Sequence, residues 1–313
     1  MIRRVLLVAL IGVLLSACST SPRAAAPVRP GSPKSPPAPM TPGRPSITTT
    51  AIRSLHTADG TVGYRRFGSG PPLILLMGFS GTIDSWSPGF VDALATHYQV
   101  ITPDNAGVGR TSPLQADTVP AMADQTSAFM TALHLQTADV LGWSMGGMIA
   151  QALAVRHPGQ VHRLVLCATL PGDGHATLPS QAALAKLADT GDPAAVLSLL
   201  YPADQTAAAR TLVSGILSYA QPDEAPKATI SAQSAALAEW TSGADQAAAG
   251  VSAIRVPTLV ADGAEDPLVP LSNSRHLVAV IPGAQLVIYP DSAHAFLFQN
   301  QAGFVTRLDA FLR

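Results

Sequence analysis

Six short apolar runs punctuate the chain after residue 70: "LILLMG" (73–78), "YQVITPD" (98–104), "ADVLGWS" (138–144), "RLVLCAT" (163–169), "PTLVADG" (257–263) and "AQLVIYP" (284–290). Most are continuous rather than alternating, the pattern of strands covered on both faces. Between them lie stretches that read as helices, predicted at Trp86–His97, Pro120–Leu135, Met145–His157, Leu271–Ile281 and Gln299–Leu312. Within the second, Met122, Phe129 and Leu133 share one side, the spacing of an amphipathic helix docked on a sheet. Strands alternating with helices imply an α/β fold, a mainly parallel sheet with helices on both faces.

Two stretches depart from this rhythm. "AIRSLHTADGTVGYRRFG" (51–68) reads as an antiparallel hairpin turning at Asp59-Gly60. Between Ala168 and Val256 the chain shows no strand pattern, only Ala- and Leu-rich helical sequence broken by Pro and Gly. A gap of that length inside a compact domain is not a loop, so residues 171–250 are expected to form a helical cap over one edge of the domain.

The first fifty residues follow other rules. Arg3 and Arg4 precede an apolar run from Val5 to Leu15, followed by Ser16, Ala17 and Cys18. A basic start, a short apolar middle and small residues at the end describe an export signal over residues 1–17. The run is shorter than the about 20 residues that a spanning helix needs. "LSAC" resembles the lipobox of bacterial lipoproteins, which implies acylation of Cys18 and a lipid anchor at the cell membrane or envelope. Residues 18–50, rich in Pro, Ser, Ala and Thr, cannot bury enough surface to offset their ordering entropy and are expected as a tether.

Charge is partitioned unevenly. The chain carries −1 in all, and the first fifty residues hold six basic and no acidic side chains, leaving −7 on residues 51–313. An acidic folded part argues against nucleic acid as a partner. Of the two cysteines, Cys167 lies in a strand run and is expected as a small core residue.

The chemistry concentrates where the third run meets the third helix. "GWSMG" (142–146) is G-x-S-x-G at a strand-to-helix junction, where the serine needs a strained backbone and the glycines avoid Cβ clashes. Downstream lie "VADGAEDPLVP" (260–270) and "YPDSAHAFLFQN" (289–300). Over residues 51–313 the chain thereby resembles the α/β-hydrolase family, whose nucleophile, acid and histidine follow in that order. The resemblance implies Ser144 as nucleophile, His294 as its base and Asp266 as the acid that orients the imidazole. Glu265 and Asp173, in "LPGDG", are rival acids. It also implies oxyanion donors at the backbone N–H groups of Met145 and Phe79. Many relatives carry His-Gly before the second donor, whereas this chain has Met77-Gly78, so its loop must be braced differently.

Other motifs add less. "PDNAGVGRT" (103–111) matches a family turn in which Asp104 ties the backbone near the nucleophile loop; it lacks the Lys-Ser/Thr of a phosphate loop. His157, at the end of a helix pattern before Pro158, fits a capping role, and the remaining histidines fit surface or packing roles. No metal-ligand spacing and no cofactor fingerprint is visible, so neither a metal nor a cofactor is expected. The expected activity is hydrolysis of carboxylic esters through an acyl-enzyme, on small molecules with an apolar acyl group. Alternatives are a cofactor-free haloperoxidase or perhydrolase, a C–C bond hydrolase on the same three residues, and a non-catalytic binding lipoprotein.

Overall fold

The structure, a computed structural model, describes residues 46–112, 117–188, 192–220 and 223–313. The expected export signal, Cys18 and all but the last residues of the tether lie outside the described residues. Residues 46–50 are already packed: Ile47 is buried, and its N–H donates to Asp92 Oδ1 at 2.8 Å.

The sheet is eight-stranded, in the order β1-β2-β4-β3-β5-β6-β7-β8. The strands are β1 Arg53–Thr57, β2 Gly60–Phe67, β3 Pro72–Leu76, β4 Gln99–Pro103, β5 Ala138–Trp143, β6 Val161–Cys167, β7 Thr258–Gly263 and β8 Gln285–Tyr289. Antiparallel pairing is confined to β1/β2 and β2/β4; the other pairs are parallel. Each of the six apolar runs supplies one of the parallel strands. The hairpin forms, with one correction: Gly60 pairs with Thr57 as the first residue of β2, so Ala58 and Asp59 make the turn. Gly60 takes φ +133, a conformation reserved for glycine, at the point where the strand leaves that turn.

Alternation within the apolar runs becomes visible only in three dimensions. In β3, Leu73 and Leu75 join one core layer while Ile74 and Leu76 join the other. The first layer holds α1 Pro88–Leu94, through Phe90, Val91 and Leu94. The opposite layer holds α2 Val119–Ala132 and α3 Met145–Arg156, through Met122, Phe129, Ile149 and Leu153. Because both faces are covered, both faces of a parallel strand are apolar and the run looks continuous. α1 is shorter at each end than the pattern predicts: Pro88 opens it, Ala95 ends it, and Trp86 before it is fully buried.

Between β6 and β7 the chain makes α4 Gln181–Ala188, α5 Pro193–Leu200, α6 Thr206–Leu217, α7 Lys227–Ser242 and the single turn α8 Gln246–Ala249. Trp240 of α7 is buried and donates its indole N–H to Leu170 O at 3.3 Å. Tyr219, just past α6, donates its hydroxyl to Trp86 O at 3.1 Å and lies under the Arg65 guanidinium. The chain ends with α9 Ser272–Val280, then α10 Phe296–Gln299 and α11 Gln301–Leu312. The last predicted helix is α11, which starts two residues later than expected, and the single turn α10 precedes it across Asn300. Among the described residues no helix is long and apolar enough to cross a membrane.

β3 lies between β4 and β5, so the chain leaves it toward one side of the sheet and returns on the other. In open parallel sheets the carboxyl ends at such a reversal leave a crevice for a ligand. "MGFSG" follows β3 and Ser144 follows β5, at that crevice.

Candidate active site

Ser144 sits at φ +57, ψ −123, between the end of β5 and the first turn of α3. A side chain in that conformation costs on the order of 1–3 kcal/mol and persists only where the surroundings enforce it. They do so through close backbone packing. A Cβ at Gly142 would lie 2.2 Å from Gly146 O, and one at Gly146 would lie 2.0 Å from Leu76 O. Ser144 is held from the neighbouring strand as well: its N–H donates to Cys167 O at 2.9 Å, and its carbonyl accepts from Thr169 Oγ1 at 2.8 Å. Among the described residues the Ser144 hydroxyl itself has no hydrogen-bond partner.

The loops after β7 and β8 supply the other two residues. His294 Nδ1 and Asp266 Oδ2 are 2.7 Å apart, with both side chains almost wholly buried. The second Asp266 oxygen accepts from the N–H groups of Leu268 and Val269, at 2.8 and 2.9 Å. Both oxygens of this carboxylate are therefore engaged. The two loops meet where a Cβ at Gly263 would lie 2.3 Å from Ser292 O. Trp143, immediately before Ser144, donates its indole N–H to His294 O at 2.9 Å, and its ring lies 5.4 Å from the imidazole. The histidine loop is thus tied to the strand that carries the serine.

The rival acids are placed elsewhere. Glu265 is exposed, and only its backbone N–H faces inward, to Ser292 O. Asp173 is 2.7 Å from His276 Nε2 on α9. Burial pushes the Asp173 carboxyl up, but the His276 hydrogen bond and charge, with help from His175, outweigh it and hold the group below its ordinary value.

The loop after β3 lies against the serine, since a Cβ at Gly78 would be 3.1 Å from Ser144 Cβ. Among the described residues neither Phe79 N–H nor Met145 N–H is committed to a protein acceptor. The bracing that a histidine would supply comes from other residues. Met77 is buried and packs beneath Gly81, its carbonyl accepts from Asn105 Nδ2 at 2.9 Å, and Ser80 N–H donates to Gln233 Oε1 at 2.8 Å. Gln233 comes from α7, 153 positions away, and no feature of the sequence around it points to this contact. Asp104 braces a different place from the one expected. Its Oδ1 accepts from Ile83 N at 2.8 Å, which ties the turn to the segment after β3 rather than to the nucleophile loop. Burial pushes the Asp104 carboxyl up to about 7.

Asp262, fully buried at the end of β7, was not singled out from the sequence. Its oxygens accept from Gly263 N at 2.9 Å and Ser274 Oγ at 2.6 Å. Burial first, then the neighbouring Asp266 charge, push its carboxyl well above the carboxylate range. Cys167 is a buried core residue, its thiol pushed up by burial. His157 caps α3 with its backbone N–H on Leu153 O, and its Nε2 lies 2.7 Å from Asp124 of α2. The fold brings Asp173, His175 and His276 together with one potential ligand atom of each within 4.8 Å of the others. No motif shows this, because His276 is separated from Asp173 by 103 positions.

A strained serine at the reversal of a parallel sheet, with a buried histidine–carboxylate pair tied to the neighbouring Trp143, defines a class of protein. The chain belongs to the α/β-hydrolase fold family, whose model matches residues 71–301. It is 34% identical over 272 residues to the protein named "Putative carbamate hydrolase RutD" of Caulobacter sp. (strain K31), covering 82% of this chain and 97% of that one. It is 30% identical over 254 residues to 2-hydroxymuconate semialdehyde hydrolase of Pseudomonas sp. (strain CF600), covering 78% of this chain and 88% of that one. Among solved structures it is similar to an α/β-hydrolase fold protein from Chitinophaga pinensis, with a TM-score of 0.74 and 26% identity over 85% of this chain and 98% of that one.

Proposed function

We propose that the protein is a serine hydrolase that cleaves carboxylic esters through an acyl-enzyme. The observation that carries this reading is the 2.7 Å pairing of His294 Nδ1 with an Asp266 carboxylate whose other oxygen is fixed by two backbone N–H groups. With Nδ1–H donating to Asp266, the imidazole presents an unprotonated Nε2, the form that accepts a proton. Ser144 Oγ attacks the acyl carbon as its proton passes to Nε2; Asp266 stabilises the imidazolium that results. The oxyanion takes hydrogen bonds from the N–H groups of Phe79 and Met145. His294 then returns the proton to the leaving alcohol, and water attacks the acyl-serine by the same relay.

The relatives' names speak of a carbamate and a semialdehyde, so proteins similar to this chain are named for different bonds. An ester with an apolar acyl group is favoured here by the composition of residues 171–250, poor in charge and rich in Ala and Leu. Acylation of Cys18 would hold the enzyme at the cell membrane or envelope, with the Pro-rich segment as spacer.

The test is a panel of nitrophenyl esters, carbamates, C–C-cleavable ketones and peroxide as an alternative acceptor, run beside fluorophosphonate labelling of wild type and Ser144→Ala. Ester turnover and labelling that both vanish in Ser144→Ala are the expected result. Intact esters with a labelled Ser144 would refute the substrate, and equal activity in wild type and variant would refute the enzyme. For the anchor, labelled fatty acid should enter the wild type in cells and not Cys18→Ser.

A further inference from the structure

We propose that Asp173, His175 and His276 form a binding site for a transition-metal ion of the zinc type, separate from the catalytic residues, which clamps the entrance of the cap to α9. One ligand atom from each of the three lies within 4.8 Å of the others. The donor set is two imidazole nitrogens and a carboxylate, which suits zinc and its first-row neighbours. Calcium and magnesium, which favour oxygen ligands, are disfavoured.

The spacing fits one shared ion. Two imidazoles on a tetrahedral zinc, with Zn–N of about 2.1 Å, hold their ring centres about 5.3 Å apart. The His175 and His276 ring centres are 5.1 Å apart. Without metal, His276 Nε2 lies 2.7 Å from Asp173 Oδ2, and His175 Nδ1 lies 3.6 Å from Asp173 Oδ1. Adjacent ligand atoms on a tetrahedral ion stand about 3.4 Å apart, and the three here lie within 4.8 Å of one another, so side-chain shifts on the order of 1 Å bring them onto one ion.

The turn that presents two of the ligands is built rather than loose. Gly174 takes φ +80, which brings His175 back over Asp173, and His175 N–H donates to Asp173 Oδ1 at 3.3 Å. On its outer side the turn packs on Gly243 at the end of α7, where a Cβ would lie 2.7 Å from Gly174 Cα. Two residues further on, Thr177 exchanges backbone hydrogen bonds with the Asn273 side chain of α9, at 2.7 and 2.9 Å. A metal on His276 would add a further tie between α9 and the start of the cap. Asp173 and His276 are mostly covered while His175 is open to solvent, which leaves a route for the ion and a free coordination position for water.

The experiment uses the folded, chelator-stripped protein titrated with zinc chloride in a calorimeter, with cobalt(II) as a spectroscopic probe. Saturation at one zinc per chain is expected, with a cobalt visible band of four-coordinate intensity. His175→Ala, exposed and neutral to folding, and His276→Gln should each weaken zinc binding by at least about tenfold, the scale on which even supporting residues act. His162→Ala, remote from the cluster, and Ser144→Ala should bind as wild type does. Zinc should also raise the thermal midpoint of wild type but not of His276→Gln. Absence of saturable zinc binding would overturn the proposal, as would binding that His175→Ala and His276→Gln both retain in full.

Discussion

Replacing Asp266 by Asn tests the proposed catalytic arrangement at its most determined point. Asp266 Oδ1 is fixed by two donors, Leu268 N–H and Val269 N–H, that can do nothing but donate. An Asn must therefore keep its oxygen there and turn its NH₂ toward His294 Nδ1, where the wild type has an acceptor at 2.7 Å. The imidazole then accepts at Nδ1 and carries its proton on Nε2, the atom that has to take the proton of Ser144. Geometry is preserved and the tautomer is wrong. The loss is expected to be about ten-thousand-fold in kcat, or about 5.5 kcal/mol of transition-state stabilisation. The assay is steady-state hydrolysis of the best ester from the panel, with circular dichroism to show an unchanged fold. Glu265→Gln and Asp173→Asn serve as comparisons and should stay within about twofold of wild type, one side chain being exposed and the other engaged with His276. An Asp266→Asn enzyme that kept more than a tenth of its kcat would refute the reasoning.

Three further outcomes are expected. Gln233→Leu removes the acceptor of Ser80 N–H together with an Nε2 that is buried without a partner. Those effects oppose each other, so stability should change by less than about 1 kcal/mol, while kcat falls about tenfold as the oxyanion loop loosens; unchanged kcat would separate Gln233 from that loop. Gly146→Ala drives a Cβ to 2.0 Å from Leu76 O, and denaturant unfolding should show a loss of about 3 kcal/mol or more as β3 is displaced. Asp104, pushed up to about 7 by burial, keeps its proton in the folded chain between pH 4 and 7 while the unfolded chain, at 3.8, has released it. Stability contributed by this group therefore falls as pH rises through that window, by up to about 4 kcal/mol. The denaturant midpoint of Asp104→Asn should lose this pH dependence relative to wild type, and parallel pH curves for the two proteins would exclude it.

Local patterns determined a good deal of this protein. Continuous apolar runs marked each parallel strand, because a strand covered on both faces needs apolar residues at every position. The glycines around Ser144 marked the strained junction, because close backbone approach is a local demand that only glycine meets. Ends of elements were less legible: α1 stops short of the pattern because Trp86 is drawn into the core, and β2 starts one residue inside the expected turn. Contacts made by single side chains across long sequence separations were not legible at all. Gln233 on the loop after β3, Trp143 on the His294 carbonyl and His276 on Asp173 are pairings of ordinary residues in ordinary stretches. Asp266 was singled out over Glu265 and Asp173 by the family resemblance rather than by the apolar pattern, and the fold turns it, not its neighbour Glu265, inward to His294. Periodicity encodes which face of an element is covered, whereas the identity of the partner depends on how the covered faces are assembled, and that information exists only once the chain has closed on itself.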